Sequence, residues 1–176
     1  AALVAFHAAH PRLQLVLRQG SAAEVLGLLT QGAVDVAITS LPAPAGTRTT
    51  PLGAEALVIA AAAGTPLAGG IAALREHPLI LAERGTTLRR IVVEACQAEG
   101  FSPVPLLEVS DPAAILTLVR AGLGRCVVPA SWVAGKDGLA LAVTPLRLST
   151  TLLCGAATLS PAAALLHAHL REQLAR

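Results

Sequence analysis

With 176 residues, 54% of them apolar and 14% charged, the chain is long enough to bury a sizeable core and too hydrophobic to be disordered. A net charge of +2, with Lys136 the single lysine and arginines scattered from Arg12 to Arg176, supplies no basic stripe of the kind a nucleic-acid surface needs. Three widely spaced cysteines, Cys96, Cys126 and Cys154, argue against a disulfide framework or a zinc knuckle and suit a reducing cytoplasm.

Taken in order, the segments alternate between helix and strand. Ala1 to His10 reads as the tail of a helix, stopped by Pro11. Leu13, Leu15 and Leu17 alternate with Gln14, Val16 and Arg18, which predicts a strand. Ser21 to Gln31 is a helix with capping-box spacing between Ser21 and Glu24, an apolar face of Val25, Leu28 and Leu29, and Gly32 as its stop. Val34 to Thr39 suits a buried parallel strand. After the loop of Pro42, Pro44 and Gly46, Thr49 to Leu52 and Ala56 to Ala62 read as two strands. Ile71 to Arg75 is a short helix and Leu79 to Ala82 another buried strand. The clearest helix is Thr86 to Glu99, with Leu88, Ile91, Val92 and Ala95 on one face and Gly100 as its stop. Val104 to Val109 is a strand; Asp111 and Pro112 then supply an N-cap and an N1 proline. Gly122 ends that helix, Cys126 to Val128 is a strand closed by Pro129, and Leu139 to Val143 and Thr151 to Cys154 complete the strands. Ser160 and Pro161 start a last helix running to about Leu174. This alternation predicts α/β lobes on mostly parallel sheets.

Two uncharged runs, Ala56 to Leu74 and Leu148 to Leu166, are long enough to mimic membrane spans. Gly64, Pro66, Gly69 and Gly70 break the first, and Gly155 and Pro161 the second, so each reads as a strand followed by a helix. No basic n-region or cleavage pattern marks a secretory signal. The absence of methionine, even at position 1, leads us to expect a fragment or a processed product.

Six segments in order resemble the effector-binding domain of LysR-type transcription regulators: Pro11 to Gly20 (PRLQLVLRQG), Leu28 to Ile38 (LLTQGAVDVAI), Glu55 to Pro66 (EALVIAAAAGTP), Glu83 to Arg89 (ERGTTLR), Val119 to Pro129 (VRAGLGRCVVP), and Leu159 to Pro161 with its helix. No single piece is specific; their order and spacing over nearly the whole chain are. The resemblance implies two Rossmann-like lobes of the type II periplasmic-binding-protein kind with two crossovers: lobe I at 1–62 plus 144–176, lobe II at 63–143, and a small-molecule effector in the cleft between them. It also implies a winged helix-turn-helix preceding this sequence that binds DNA, side-by-side pairing into a homodimer or homotetramer through helices Ser21–Gln31 and Thr86–Glu99 (the alternative being ordinary amphipathic helices with a solvated outer face), a cytoplasmic location, and no enzyme activity, membrane partner or cofactor. An exported solute-binding protein of the same fold is the alternative. Two departures stand out. The chain begins inside what would be the family's first helix, without the opening strand, and Arg125 stands where the family has an apolar residue, either facing solvent or placing a cation beside the cleft.

Binding at a cleft between parallel sheets uses the loops at the C-terminal ends of strands and the N-termini of helices, and helix N-termini, with free N–H groups and a positive dipole end, favour carboxylates or phosphates. The candidate effector-binding residues are therefore Gly20 and Ser21; Thr39 and Ser40; Gly85, Thr86 and Thr87; and Ser110. Ser21 reads equally as a plain N-cap, and Ser110-Asp111-Pro112 more simply as a cap than as a ligand site. Arg84 and Arg89 could pair an acidic effector, though solvated surface arginines are the simpler reading. Gly122 and Gly124 read as turn residues that tolerate positive φ. His7 and His10 have a helical spacing that could hold a metal, but no third ligand is near in sequence, and His167 and His169 do not share a helical face. No metal site is expected, and no nucleophile elbow or P-loop is present.

Overall fold

Short polar residues write the helix starts of this chain. A computed structural model, which describes residues 2–155 and 158–175, places those starts where the capping residues stand. In chain order the elements are α1 (Ala2–Ala9), α2 (Ala22–Thr30), β1 (Val36–Thr39), β2 (Arg48–Ala62), a 3-10 turn (Ile71–Leu74), β3 (Leu79–Ala82), α3 (Thr87–Ala98), β4 (Pro105–Val109), α4 (Pro112–Arg120), β5 (Cys126–Pro129), α5 (Ala130–Val133), β6 (Leu139–Cys154) and α6 (Pro161–Leu174). At α2 the Ser21 amide donates to Glu24 Oε2 at 2.7 Å and the Glu24 amide donates to Ser21 Oγ at 3.3 Å, a reciprocal capping box. Asp111 accepts from the Ala113 and Ala114 amides ahead of Pro112 at the start of α4. Ser160 accepts from the Ala163 amide at α6.

The chain forms two compact units, Ala1–Ala54 with Ser149–Arg176, and Glu55–Leu148. In the first, β1 pairs antiparallel with the end of β6, Val36 opposite Cys154 and Thr39 opposite Thr151. Leu29, Ala37 and Leu153 form one buried cluster under α2. Leu52, Leu152 and Leu170 form another against α6.

In the second unit β3 and β4 are parallel, Ala82 opposite Val109, and β5 pairs antiparallel with β2, Leu57 opposite Pro129. Successive side chains of a strand point to opposite faces, and here the two faces bury against different helices. Leu57, Ile59, Leu79, Leu81 and Val127 pack with Leu88, Val92 and Cys96 of α3. Ala60, Ile80, Cys126 and Val128 pack with Ile115, Leu116 and Val119 of α4. Covering on both faces is why these strands read as unbroken apolar runs.

Four expectations need correction. Residues Leu13 to Leu17 are not in a strand: among the described residues nothing forms a ladder with them, and Val16 and Leu17 are each 65% exposed. The pairs of strands expected at Thr49–Leu52 and Ala56–Ala62, and at Leu139–Val143 and Thr151–Cys154, are two continuous strands, each passing from one unit to the other. Their ladders with β1 and β5 are antiparallel, and the parallel pairing expected for most strands is seen between β3 and β4 and at the Leu79–Arg125 bridge. Finally, α5 after Pro129 lies in a stretch to which the sequence reading assigned no element.

Candidate functional site

In the second unit, parallel pairing of β3 and β4 sends both following loops out of the same end of the sheet, and the Glu83 amide donates to the Val109 carbonyl at 3.1 Å. This brings Gly85, Thr86 and Thr87 to the edge that also carries Ser110. Gly85 has φ +85°, and the turn it makes delivers the chain into α3. Thr86 is the N-cap: its Oγ1 accepts from the Arg89 amide at 3.2 Å and donates to the Glu83 carbonyl at 2.8 Å. Its hydroxyl is committed to the helix.

Thr87 differs. It is 4% exposed, and among the described residues its Oγ1 has no hydrogen-bond partner. A buried hydroxyl without a partner costs stability, which singles this group out at the N-terminus of the longest helix of the unit. Ser110 is exposed and immediately precedes the Asp111 cap.

Beside this edge an ion network passes unnoticed in the sequence. Glu108 on β4 bridges two arginines, Arg84 at 3.2 Å and Arg89 at 2.9 Å. Arg89 also donates to the Ala82 carbonyl at 3.1 Å, and its side chain is only 12% exposed. The hydrogen bond from Arg84, then that from Arg89, holds the Glu108 carboxyl below the usual carboxylate range. Arg84 fits the surface reading, but Arg89 does not; it is an internal tie between β3, β4 and α3. The arginines lie 24 and 19 residues from Glu108, and only the pairing of β3 with β4 closes that distance.

In the first unit α2 packs on β1 through a short connector, so the start of α2 and the end of β1 lie towards the same end. The Ser21 amide donates and its Oγ accepts in the capping box, and its hydrogen bonds lower the pKa of Glu24. Thr39 is 5% exposed and accepts from the Leu41 amide at 3.1 Å. Ser40 is half-buried. Gly20 is exposed, and a Cβ there would meet the flexible Glu24 carboxylate at 2.8 Å.

Arg125 neither faces solvent nor stands at the Thr87 edge. It is 8% exposed, and its guanidinium donates to the carbonyls of Ala73 and Pro66 at 3.1 and 3.0 Å. His10 and His169 flank the Phe6 ring, with centroids at 4.7 and 5.3 Å. His167 contacts Thr50. Among the described residues no group of three potential metal ligands occurs, and no helix is long and apolar enough to cross a membrane. The three cysteines are free and buried; burial pushes Cys96 up to about 11 and Cys126 to about 12.

Comparison with known proteins places this arrangement. The family model described as LysR substrate binding domain matches residues 1–175. A probable hydrogen peroxide-inducible genes activator of Mycobacterium avium is 32% identical over 141 residues, covering 75% of this chain and 45% of the relative. The transcriptional dual regulator GltC of Bacillus subtilis (strain 168) is 28% identical over 134 residues, covering 72% and 44%. The chain thus spans less than half the length of these curated relatives. Among solved structures, the Corynebacterium glutamicum OxyR C206 mutant superposes with TM-score 0.79 at 26% identity, over 99% of this chain and 60% of that one. The Synechocystis PCC6803 CcmR regulatory domain in complex with 2-PG gives 0.88 at 20% identity, over 98% and 89%. The BenM effector binding domain with benzoate gives 0.84 at 21%, over 98% and 83%. The last two likenesses speak for the fold, which is the periplasmic-binding-protein-like type II architecture.

Proposed function

The chain belongs to the LysR substrate-binding-domain family, and from that premise we propose that it is the effector-sensing part of a longer transcription regulator. A small anionic effector binds, and its unequal affinity for two arrangements of the protein shifts the balance between them. A DNA-binding domain outside this sequence reads the shift, in a homodimer or homotetramer in the cytoplasm. The relatives it matches are regulators rather than enzymes. The observation that carries the binding assignment is the buried Thr87 hydroxyl at the N-terminus of α3, without a hydrogen-bond partner among the described residues, where backbone N–H groups and the dipole favour an anion. Gly85 and Ser110 at the same sheet edge complete the proposed contacts of this unit; in the first unit the candidate residues are Gly20, Ser21, Thr39 and Ser40. The benzoate held by the BenM domain is an anion of the same class.

The test is a melting and calorimetric screen of small carboxylates and phosphates on this protein. A true effector at about one hundred times its dissociation constant stabilises the fold by about 2.7 kcal/mol, and its amide shifts in NMR centre on Gly85, Thr86 and Thr87. A panel that moves neither the melting point nor those amides overturns the reading.

Likeness to a peroxide-inducible activator raises thiol chemistry as a competing signal. The thiolate is the form that peroxide attacks; burial holds the Cys96 and Cys126 thiols protonated, and Cys154 is buried as well. We therefore expect an aromatic disulfide reagent such as dithionitrobenzoate to titrate none of the cysteines of the native protein within minutes and all of them after unfolding. Rapid reaction of one native thiol would restore redox sensing as a reading.

A further inference from the structure

The end of the second unit opposite to Gly85–Thr87 carries a concavity of about 980 Å³, walled by Ala61, Pro66, Leu67, Ala73 and Pro78 with Arg125 among them. Arg125 is fixed in both backbone and side chain. Its amide donates to the Pro78 carbonyl and its carbonyl accepts from the Ile80 amide, both at 2.8 Å. Its guanidinium donates to Ala73 and Pro66. A guanidinium has five N–H donors, so these two bonds leave most of its capacity unused. Arg125 is 8% exposed, yet among the described residues no carboxylate lies within ion-pair distance of it. A buried charge without a counter-charge is costly unless something compensates it. The rim adds Arg75, which is held by the Glu99 and Gly100 carbonyls and lies over the Phe101 ring, and Glu76. Two arginines against one glutamate leave the lining with an excess of positive charge, while its walls are mainly alanine, proline and leucine.

We propose that this concavity is a second ligand site, separate from the Thr87 edge, that takes a small monocarboxylic acid with a hydrocarbon body. The carboxylate sits on the free N–H groups of Arg125, for which a planar, bidentate acceptor is the matching shape. The hydrocarbon lies against Ala61, Pro66 and Leu67. A phosphate would place a larger charge against apolar walls and Glu76, and a neutral body without an acid would leave Arg125 uncompensated. This site does not depend on the effector assignment at Thr87.

The experiment titrates the protein with hexanoate and with cyclohexanecarboxylate, each against its own primary amide, and follows backbone amide shifts. We expect saturable shifts at Leu67, Ala73 and Arg125 at millimolar acid, and about tenfold weaker binding of the amides, because a charge-assisted bond is lost. Ala68→Trp, at an exposed lining position, fills the concavity without touching the Arg125 bonds and should abolish those shifts while leaving the melting temperature unchanged. Arg125→Gln should weaken the acids and leave the amides as they were. Acids and amides binding alike, shifts confined to Gly85–Thr87, an unaltered Ala68→Trp titration, or no shift with either acid would each overturn the proposal. Only the second of these outcomes would support the effector assignment at the same time.

Discussion

Gly124→Ala is expected to cost about 3 kcal/mol, the upper part of the range for overpacking a close contact, and to lower the melting temperature by about 10 °C in a domain of this size. A Cβ at Gly124 would lie 2.6 Å from the Pro78 carbonyl oxygen and 3.1 Å from its carbon. Neither backbone can retreat. The Arg125 amide bonds that same Pro78 carbonyl and the Ile80 amide bonds the Arg125 carbonyl, while Leu79 and Ile80 next to them are 3% and 1% exposed in the core. Gly122 makes the control. It has φ +80° with open space where its Cβ would be, so Gly122→Ala pays only the left-handed backbone penalty of about 1 kcal/mol. Both glycines read in the sequence as turn residues; only Gly122 is one. Denaturant unfolding of the two variants separates the explanations, and equal losses would sink the close-approach account of Gly124.

This pair marks where sequence reasoning ran out. What depends on neighbours within one turn was legible: Ser21 with Glu24, Thr86, Asp111 with Pro112, and Ser160 with Pro161 all start helices where the residue types indicate. The buried strands β3 and β5 were legible for the same reason, since both of their faces are apolar. What depends on distant partners was not. Residues 53–55 and 144–150 were left between separate expected strands, yet β2 and β6 run through them, because strand continuity is decided by the ladder and not by local propensity. Leu13 to Leu17 has the alternation of a strand, but no ladder among the described residues includes it. At the site, Gly85, Thr86 and Thr87 were singled out by the family resemblance and by the chemistry of a helix start. Which of the two threonines caps and which is left buried without a partner did not follow from either, because adjacent residues with one chemistry differ only in the direction of their side chains. The Arg84–Glu108–Arg89 network and the clamp made by Arg125 were invisible for the same reason, as both are built from segments far apart in the chain.

That asymmetry between the threonines yields the second large effect. Thr87→Val keeps the shape of the side chain and removes a buried hydroxyl without a partner, so the ligand-free protein should become more stable by about 1–2 kcal/mol. The same change removes the group proposed to meet the effector, and affinity should fall by about tenfold or more. Thr87→Ser, which retains the hydroxyl, should keep the affinity. Thr86→Ala should behave in the opposite way to Thr87→Val: it loses an N-cap whose Oγ1 bonds the Arg89 amide and destabilises by about 1 kcal/mol, with affinity changed only as far as α3 frays. A gain in stability coupled to a loss of binding at one residue is the signature of a group kept for a ligand at the expense of the fold. If Thr87→Val instead destabilises the ligand-free protein and binds effector as before, its hydroxyl belongs to the fold, and the effector assignment at the N-terminus of α3 fails with it.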